Sequence, residues 1–223
     1  MKTIVYVDGY NLFYSLLKNS NYKWLDLYKL FNEQILRPQN PNTELVCVKY
    51  YTANIKAKFS SHGTDASDAQ QRYHRALESP KTGPVEIIKG FYSYEKSTPM
   101  RYKEPPEKSD KVAAWKLEEK QTDVNIALDI YRDAIRDNCE QVVICTSDTD
   151  IVPALKRVRM DMPSTKIGIV FPRPQKSPRP PSKTLAIQAH WVRNHITEHE
   201  LASSVFTDRI PTNKKPVDKP SYW

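Results

Sequence analysis

The chain has 223 residues, of which 39% are hydrophobic and 27% charged, the balance of one ordinary well-buried domain. No apolar run approaches the roughly 20 residues of a membrane helix. The N-terminal apolar run is too short for a signal peptide and lacks its cleavage signature, so a cytoplasmic protein with no membrane partner is expected. The net charge of +8, with a pI of about 9.2, favours polyanionic partners through phosphate contacts and counterion release.

Thr3 to Val7 is a short β-rich apolar run ending in the turn signal Asp8-Gly9, and Tyr10 to Leu17 then reads as helical. Trp24 to Leu36 places Leu27, Leu30, Phe31 and Ile35 at helical spacing before Pro38 and Pro41 stop it. Leu45 to Tyr51 is a second strand, Asp65 to Leu77 a polar helix and Val85 to Tyr94 a third strand. Lys96 to Lys111 is charged and proline-containing and reads as a loop.

Thr122 to Asp137 is the clearest helix, with Ala127, Ile130 and Ala134 on one stripe and Val124, Leu128, Tyr131 and Ile135 beside them. Gln141 to Thr146 is a buried-type strand. The next helix starts near Asp150, because Pro153 is tolerated only in a first turn. Lys166 to Phe171 is a fifth strand. Pro172 to Lys183 is proline-rich and basic: an extended surface loop, with a nucleic-acid-facing flap and an SH3-type ligand as alternatives. From about Thr207 the chain reads as a disordered polar tail. The alternation predicts an α/β fold of three layers, helices on both faces of a mainly parallel sheet of about five strands.

Cys47, Cys139 and Cys145 are odd in number and not at C-x-x-C spacing, so they read as buried free thiols rather than as zinc ligands or a disulfide framework. The chemistry is carried by acids. In an open α/β sheet ligands bind outside the carboxyl ends of the strands. The first strand runs into Asp8 and the fourth into Asp148 and Asp150, while Asp123 opens the strong helix between them. If the first and fourth strands are neighbours, four carboxylates converge. Such acids repel one another unless a cation lies between them, and hard oxygen donors select Mg²⁺ or Mn²⁺. One or two such ions suit phosphodiester hydrolysis, by activating water and stabilising charge on phosphate oxygens. Each acid taken alone also has an ordinary explanation: a turn at Asp8, a first-turn acid at Asp123 with Thr122 as N-cap, capping residues at Asp148 and Asp150.

Val7-Asp8-Gly9-Tyr10-Asn11-Leu12, Glu119-Lys120-Gln121-Thr122-Asp123-Val124 and Thr146-Ser147-Asp148-Thr149-Asp150 together resemble the three motifs of NYN domains, in the LabA-like branch of the PIN-like nuclease superfamily. The resemblance spans about residues 1–200, so one domain is taken as 1–206 with a tail at 207–223. It implies a Rossmann-like PIN fold and metal-dependent cleavage of RNA. By motif match Asp8, Asp123, Asp148 and Asp150 carry over as catalytic acids and metal ligands, and Asn11 as the polar residue that orients Asp8 or water. Relatives often have glycine where this chain has Gln121 and Ser147. Some family members bind or regulate without cleaving, which keeps a non-catalytic RNA-binding protein on the same scaffold as an alternative.

Lys49, Lys120, Ser147 and Arg157 are the candidate substrate contacts, near aromatic Tyr50 and Tyr51, since lysine and arginine bind phosphates and aromatics stack on unpaired bases. His195-Ile196-Thr197-Glu198-His199 matches a zinc-protease pattern, but Thr197 to Glu200 reads as a capping box that starts the helix after His195. The five glycines form neither G-x-G-x-x-G nor a P-loop, so a nucleotide cofactor is not expected. A metal-dependent phosphatase remains a second alternative, although Tyr10 stands where the haloacid dehalogenase type has its second Asp.

Overall fold

The computed structural model describes residues 1–178 and 180–223; Arg179, in the proline-rich segment, lies outside the described residues. The sheet strands are β1 (Lys2–Asp8), β2 (Glu44–Ala53), β3 (Val85–Ser97), β4 (Ala114–Lys120), β5 (Gln141–Cys145), β6 (Lys166–Val170) and β7 (Trp191–Arg193). They form one seven-stranded sheet in the order β4-β3-β2-β1-β5-β6-β7. All neighbours are parallel except β3 and β4, which pair antiparallel. β4 and β7 are two strands more than the sequence suggested. The alternation of Trp115 and Leu117 with charged residues was the missed sign of β4; β7 has three residues, too few for a period.

The helices are α1 (Gly9–Leu12), α2 (Leu27–Lys29), α3 (Arg37–Gln39), α4 (Gly63–Leu77), α5 (Thr122–Ile135), α6 (Val152–Asp161), α7 (Lys183–Ala186) and α8 (Glu198–Ala202). α1 and α2 run on into wider π-helical turns over Phe13–Leu17 and Leu30–Leu36. Asp26 caps α2 by accepting from the Lys29 N–H at 2.9 Å, so that helix starts later than Trp24. Pro153 lies in the first turn of α6, and Thr197 and Glu200 form the capping box that starts α8 beyond His195.

β1 is buried on both faces, which explains its unbroken apolar run. Val5 and Val7 face one core with Leu12, Trp24, Phe31 and Tyr73; Ile4 and Tyr6 face the other with Ile126, Ile130, Ile144 and Leu155. The buried stripe of α5 is Ile126, Ile130, Asp133 and Ala134, whereas Val124, Leu128 and Ile135 are exposed. Ile130 and Ala134 of the expected stripe are buried; Ala127 is half-buried, and Ile126 and the charged Asp133 take the core positions beside them.

The segment 207–223 is not a disordered tail. β8 (Arg209–Ile210) and β9 (Val217–Asp218) form a hairpin, Ile210 and Val217 are buried, and Trp223 meets Trp24 and Tyr73 edge-on at centroid distances of 6.3 and 5.6 Å. Its apolar residues are spaced too widely by prolines and lysines for a periodic signal. No cysteine is disulfide-bonded; Cys139 and Cys145 are buried and Cys47 is half-buried. Among the described residues no helix is long and apolar enough to cross a membrane.

Candidate active site

β1 lies between β2 and β5, and the carboxyl ends of β1 and β5 form the crevice at which the sheet order reverses. Asp8 ends β1 and is buried there. The turn from β1 into α1 is so tight that a Cβ on Gly9 would stand 2.5 Å from the Tyr51 carbonyl oxygen. Only glycine lets the first helix start directly after the acid. Oδ1 of Asp8 accepts from the Asn11 N–H at 2.9 Å; Oδ2 accepts from the Asn11 side-chain amide at 2.7 Å and the Thr146 hydroxyl at 2.8 Å. Burial pushes the Asp8 carboxyl above the ordinary aspartate value, against the hydrogen bonds from Asn11 and Thr146.

The loop after β5 continues this network. Thr146 Oγ1 accepts from the Asp148 N–H at 3.0 Å, Asp148 Oδ1 accepts from the Asp150 N–H at 2.9 Å, and the Ser147 N–H donates to Asn11 Oδ1 at 3.3 Å. Asp123 approaches from the first turn of α5. Oxygens of Asp123, Asp148 and Asp150 lie within 4.8 Å of one another. Partial burial and the neighbouring charges of Asp8, Asp148 and Asp150 push Asp123 up to about 6.

The structure also brings Glu119 to this place. It is half-buried at the end of β4, accepts from the Thr122 hydroxyl at 2.5 Å, and is raised by burial and then by the charges of Asp8 and Asp123. Glu119 stands inside the quoted middle motif, but without β4 there was no reason to point it at the cleft. Thr146 was passed over likewise, as the last residue of a strand. The cleft has a volume of about 340 Å³ and is lined, besides the acids, by three tyrosines, Tyr10, Tyr14 and Tyr92, and by Leu117. Tyr10 and Tyr14 stack on each other with ring centroids 4.3 Å apart.

The proposed substrate contacts fall differently. Ser147 is exposed at the rim. Lys120 pairs with Glu118 at 2.6 Å on the strand face opposite Glu119. Arg157 is exposed on α6 and does not line the cleft. Lys49 is not at the crevice. It sits mid-strand opposite Tyr6, buried beneath α5, with Nζ 2.5 Å from Asp133 and 3.9 Å from Asp129. Tyr6 and Tyr51 donate into the same buried group, at 2.9 Å to Asp133 and 2.7 Å to Asp129. A lysine in an otherwise apolar strand looked like a substrate contact; its position two residues before Tyr51 puts it on the helix-facing side of the sheet.

The model of the NYN domain matches residues 2–184. The chain belongs to the NYN domain family. Along its whole length this NYN protein is 38% identical over 240 residues to 6-hydroxy-3-succinoylpyridine 3-monooxygenase HspA of Pseudomonas putida, covering 75% of that protein. Its fold is similar to that of a protein of unknown function from Vibrio parahaemolyticus, with a TM-score of 0.51 at 18% identity, covering 88% of this chain and 93% of the other. The NYN match gives a nuclease-like domain and makes the acid-lined cleft its candidate centre.

Proposed function

We propose that this protein is a metal-dependent ribonuclease that hydrolyses RNA phosphodiester bonds at the cleft between β1 and β5. The observation that carries this reading is the group formed by Asp123, Asp148 and Asp150, whose oxygens lie within 4.8 Å of one another next to buried Asp8. The donor set fits Mg²⁺ or Mn²⁺: all carboxylate, close-set and mutually repulsive, with no histidine or cysteine lining the cleft among the described residues. A divalent ion bound there would supply Lewis-acid stabilisation of charge on a phosphate oxygen and lower the pKa of water.

The protein's own part is positioning. Asn11 and Thr146 fix both oxygens of Asp8, and the Thr146–Asp148–Asp150 chain of hydrogen bonds sets the loop acids against it. Glu119 lines the same cleft, its carboxyl raised by burial, and is our candidate for delivering a proton to a leaving oxygen. The net charge of +8 draws a polyanion to the protein, while the cleft itself is acidic. We place the activity in the cytoplasm, where the three unpaired thiols persist.

A second reading is favoured by one observation: the 38% identity to the named monooxygenase runs through all of this chain, beyond the NYN match. On that reading the tyrosine wall holds a hydroxypyridine ring. Its succinoyl carboxylate would meet the same acids as RNA phosphate does, so both substrates need a cation there. The cleft offers no two-histidine, one-carboxylate set for an oxygen-activating iron, and the glycines form no dinucleotide cradle. We therefore rank hydrolysis first.

The test is cleavage of single-stranded and structured RNAs with Mg²⁺, Mn²⁺ or EDTA, for wild type and Asp148→Asn purified alike. Metal-dependent cleavage that the variant loses supports hydrolysis at this cleft. Equal cleavage by both proteins, or none, defeats it. Oxygen uptake with 6-hydroxy-3-succinoylpyridine and a reduced nicotinamide would then put the second reading first.

A further inference from the structure

β3 and β4 extend past the rest of the sheet as a two-stranded arm. Their antiparallel register places Tyr92 opposite Glu119, Tyr94 opposite Leu117 and Lys96 opposite Trp115. Because side chains alternate along a strand, these six residues share one face. Tyr92, Leu117 and Glu119 line the acid cleft. The same face therefore leaves the cleft and continues outward as Tyr94, Trp115 and Lys96.

The outer half is built and exposed at once. Tyr94 and Trp115 are 48% and 56% exposed although their ring centroids are only 6.0 Å apart. Phe59, from the short turn Ala57–Phe59, extends the row at 5.1 Å from Tyr94. Lys58 Nζ lies 5.8 Å from the Phe59 ring centre and 5.9 Å from that of Trp115. Lys58 and Lys96 have no carboxylate partner among the described residues. Rings left open beside unpaired ammonium groups suit a ligand that is itself a row of flat rings on an anionic thread.

We infer that this face is a stacking track for an unpaired RNA strand, which it leads into the cleft: bases lie on Trp115, Tyr94 and Phe59, phosphates run past Lys58 and Lys96, and the strand reaches the acids between Tyr92 and the Tyr10–Tyr14 pair. The inference rests on the RNA reading of the cleft and adds the substrate class. A base in a duplex has both faces covered by its neighbours, so only an unpaired strand offers rings to this surface. From Tyr92 to Lys96 the arm advances roughly 13 Å, room for about four stacked bases.

The experiment is fluorescence anisotropy of a labelled short single-stranded RNA at low salt in EDTA, where no turnover occurs, with the same sequence as a duplex for comparison. Wild type is expected to prefer the single strand. Tyr94→Ala with Trp115→Ala is expected to weaken it by about tenfold or more, at an unchanged thermal midpoint. Tyr94→Phe with Trp115→Phe keeps the rings and is expected to bind within about twofold of wild type. The track is overturned if the alanine pair binds like wild type, if the phenylalanine pair binds as weakly as the alanine pair, or if the duplex binds as well as the single strand. Tight, ring-dependent binding without cleavage in Mg²⁺ or Mn²⁺ would defeat the hydrolase and leave the track standing.

Discussion

Asn11 donates to both oxygens of Asp8, its backbone N–H to Oδ1 at 2.9 Å and its side-chain amide to Oδ2 at 2.7 Å. The amide oxygen of the same residue accepts from the Ser147 N–H at 3.3 Å. One side chain thus ties the acid at the end of β1 to the loop that carries Asp148 and Asp150. Asn11→Ala is expected to fold and to lose about 10–100-fold in Mn²⁺ affinity or in turnover, the usual cost of removing a group that orients ligands. Asn11→Asp is expected to lose more, because a carboxylate cannot donate to Asp8. Calorimetry with Mn²⁺ and separate kcat and KM values check this. Wild-type behaviour in Asn11→Ala would remove the brace from the mechanism.

Gln121 sits at φ 75°, in the left-handed region, directly before α5. A side chain there costs roughly 1–2 kcal/mol, and the return of unfolded-state freedom on mutation to glycine offsets about 0.4–1 kcal/mol of it. Gln121→Gly is therefore expected to stabilise the protein by about 0.5–1 kcal/mol in urea unfolding. A loss of stability would mean that the glutamine side chain has a compensating contact. Gly90 guards the same turn from the sheet side: a Cβ there would stand 2.4 Å from the Lys120 carbonyl oxygen.

The buried Lys49 ammonium neutralises Asp133. Burial works against the Asp133 charge, yet the hydrogen bonds from Lys49 and Tyr6 hold that carboxyl below its ordinary value. Lys49→Met leaves the buried carboxylate with only the half-exposed Arg132, 3.5 Å away, and is expected to cost up to about 3–5 kcal/mol. Adding Asp133→Asn, which still accepts from Tyr6, is expected to recover part of the loss. Chemical denaturation of the two variants decides the matter. A cost under about 1 kcal/mol for Lys49→Met would show that the pair matters little to stability.

Burial pushes Asp26 up to about 6, above the ordinary 3.8, even though the Lys29 N–H donates to it. The folded state then holds a proton that the unfolded state has released between about pH 4 and 6. Its contribution to stability is present at low pH and lost as pH rises through that window. Asparagine caps a helix as well as aspartate and has no charge to bury. Asp26→Asn is expected to raise the unfolding midpoint above pH 7, with the gain gone by about pH 4. A gain of the same size at every pH would point to a cause other than titration.

The central strands were legible because burial on both faces writes an unbroken apolar run, as in β1 and β5. The paired acids at their ends followed from the fold rule for strand termini. β4 was hidden by its own exposure: Ala114 to Lys120 has one face in solvent and the other lining a polar cleft, so Lys116, Glu118 and Lys120 drowned the alternation of Trp115 and Leu117. Glu119 and the tyrosine wall went unseen with it. Lys49 misled in the opposite sense, since a lysine neutralised inside a core by Asp133 cannot be told in sequence from a surface charge. The C-terminal hairpin owes its place to Trp24 and Tyr73, residues far from it in the chain.

The hydrogen bond from Thr146 to Asp8 joins groups 138 residues apart, across the pairing of β1 with β5. A growing chain that ends at α5 already contains Asp8, Glu119 and Asp123, but neither Thr146 nor the two acids beyond it. Distant strand pairing is among the slower events of folding. The carboxylate cluster therefore cannot assemble before β5 and the loop after it have been made and β5 has paired with β1.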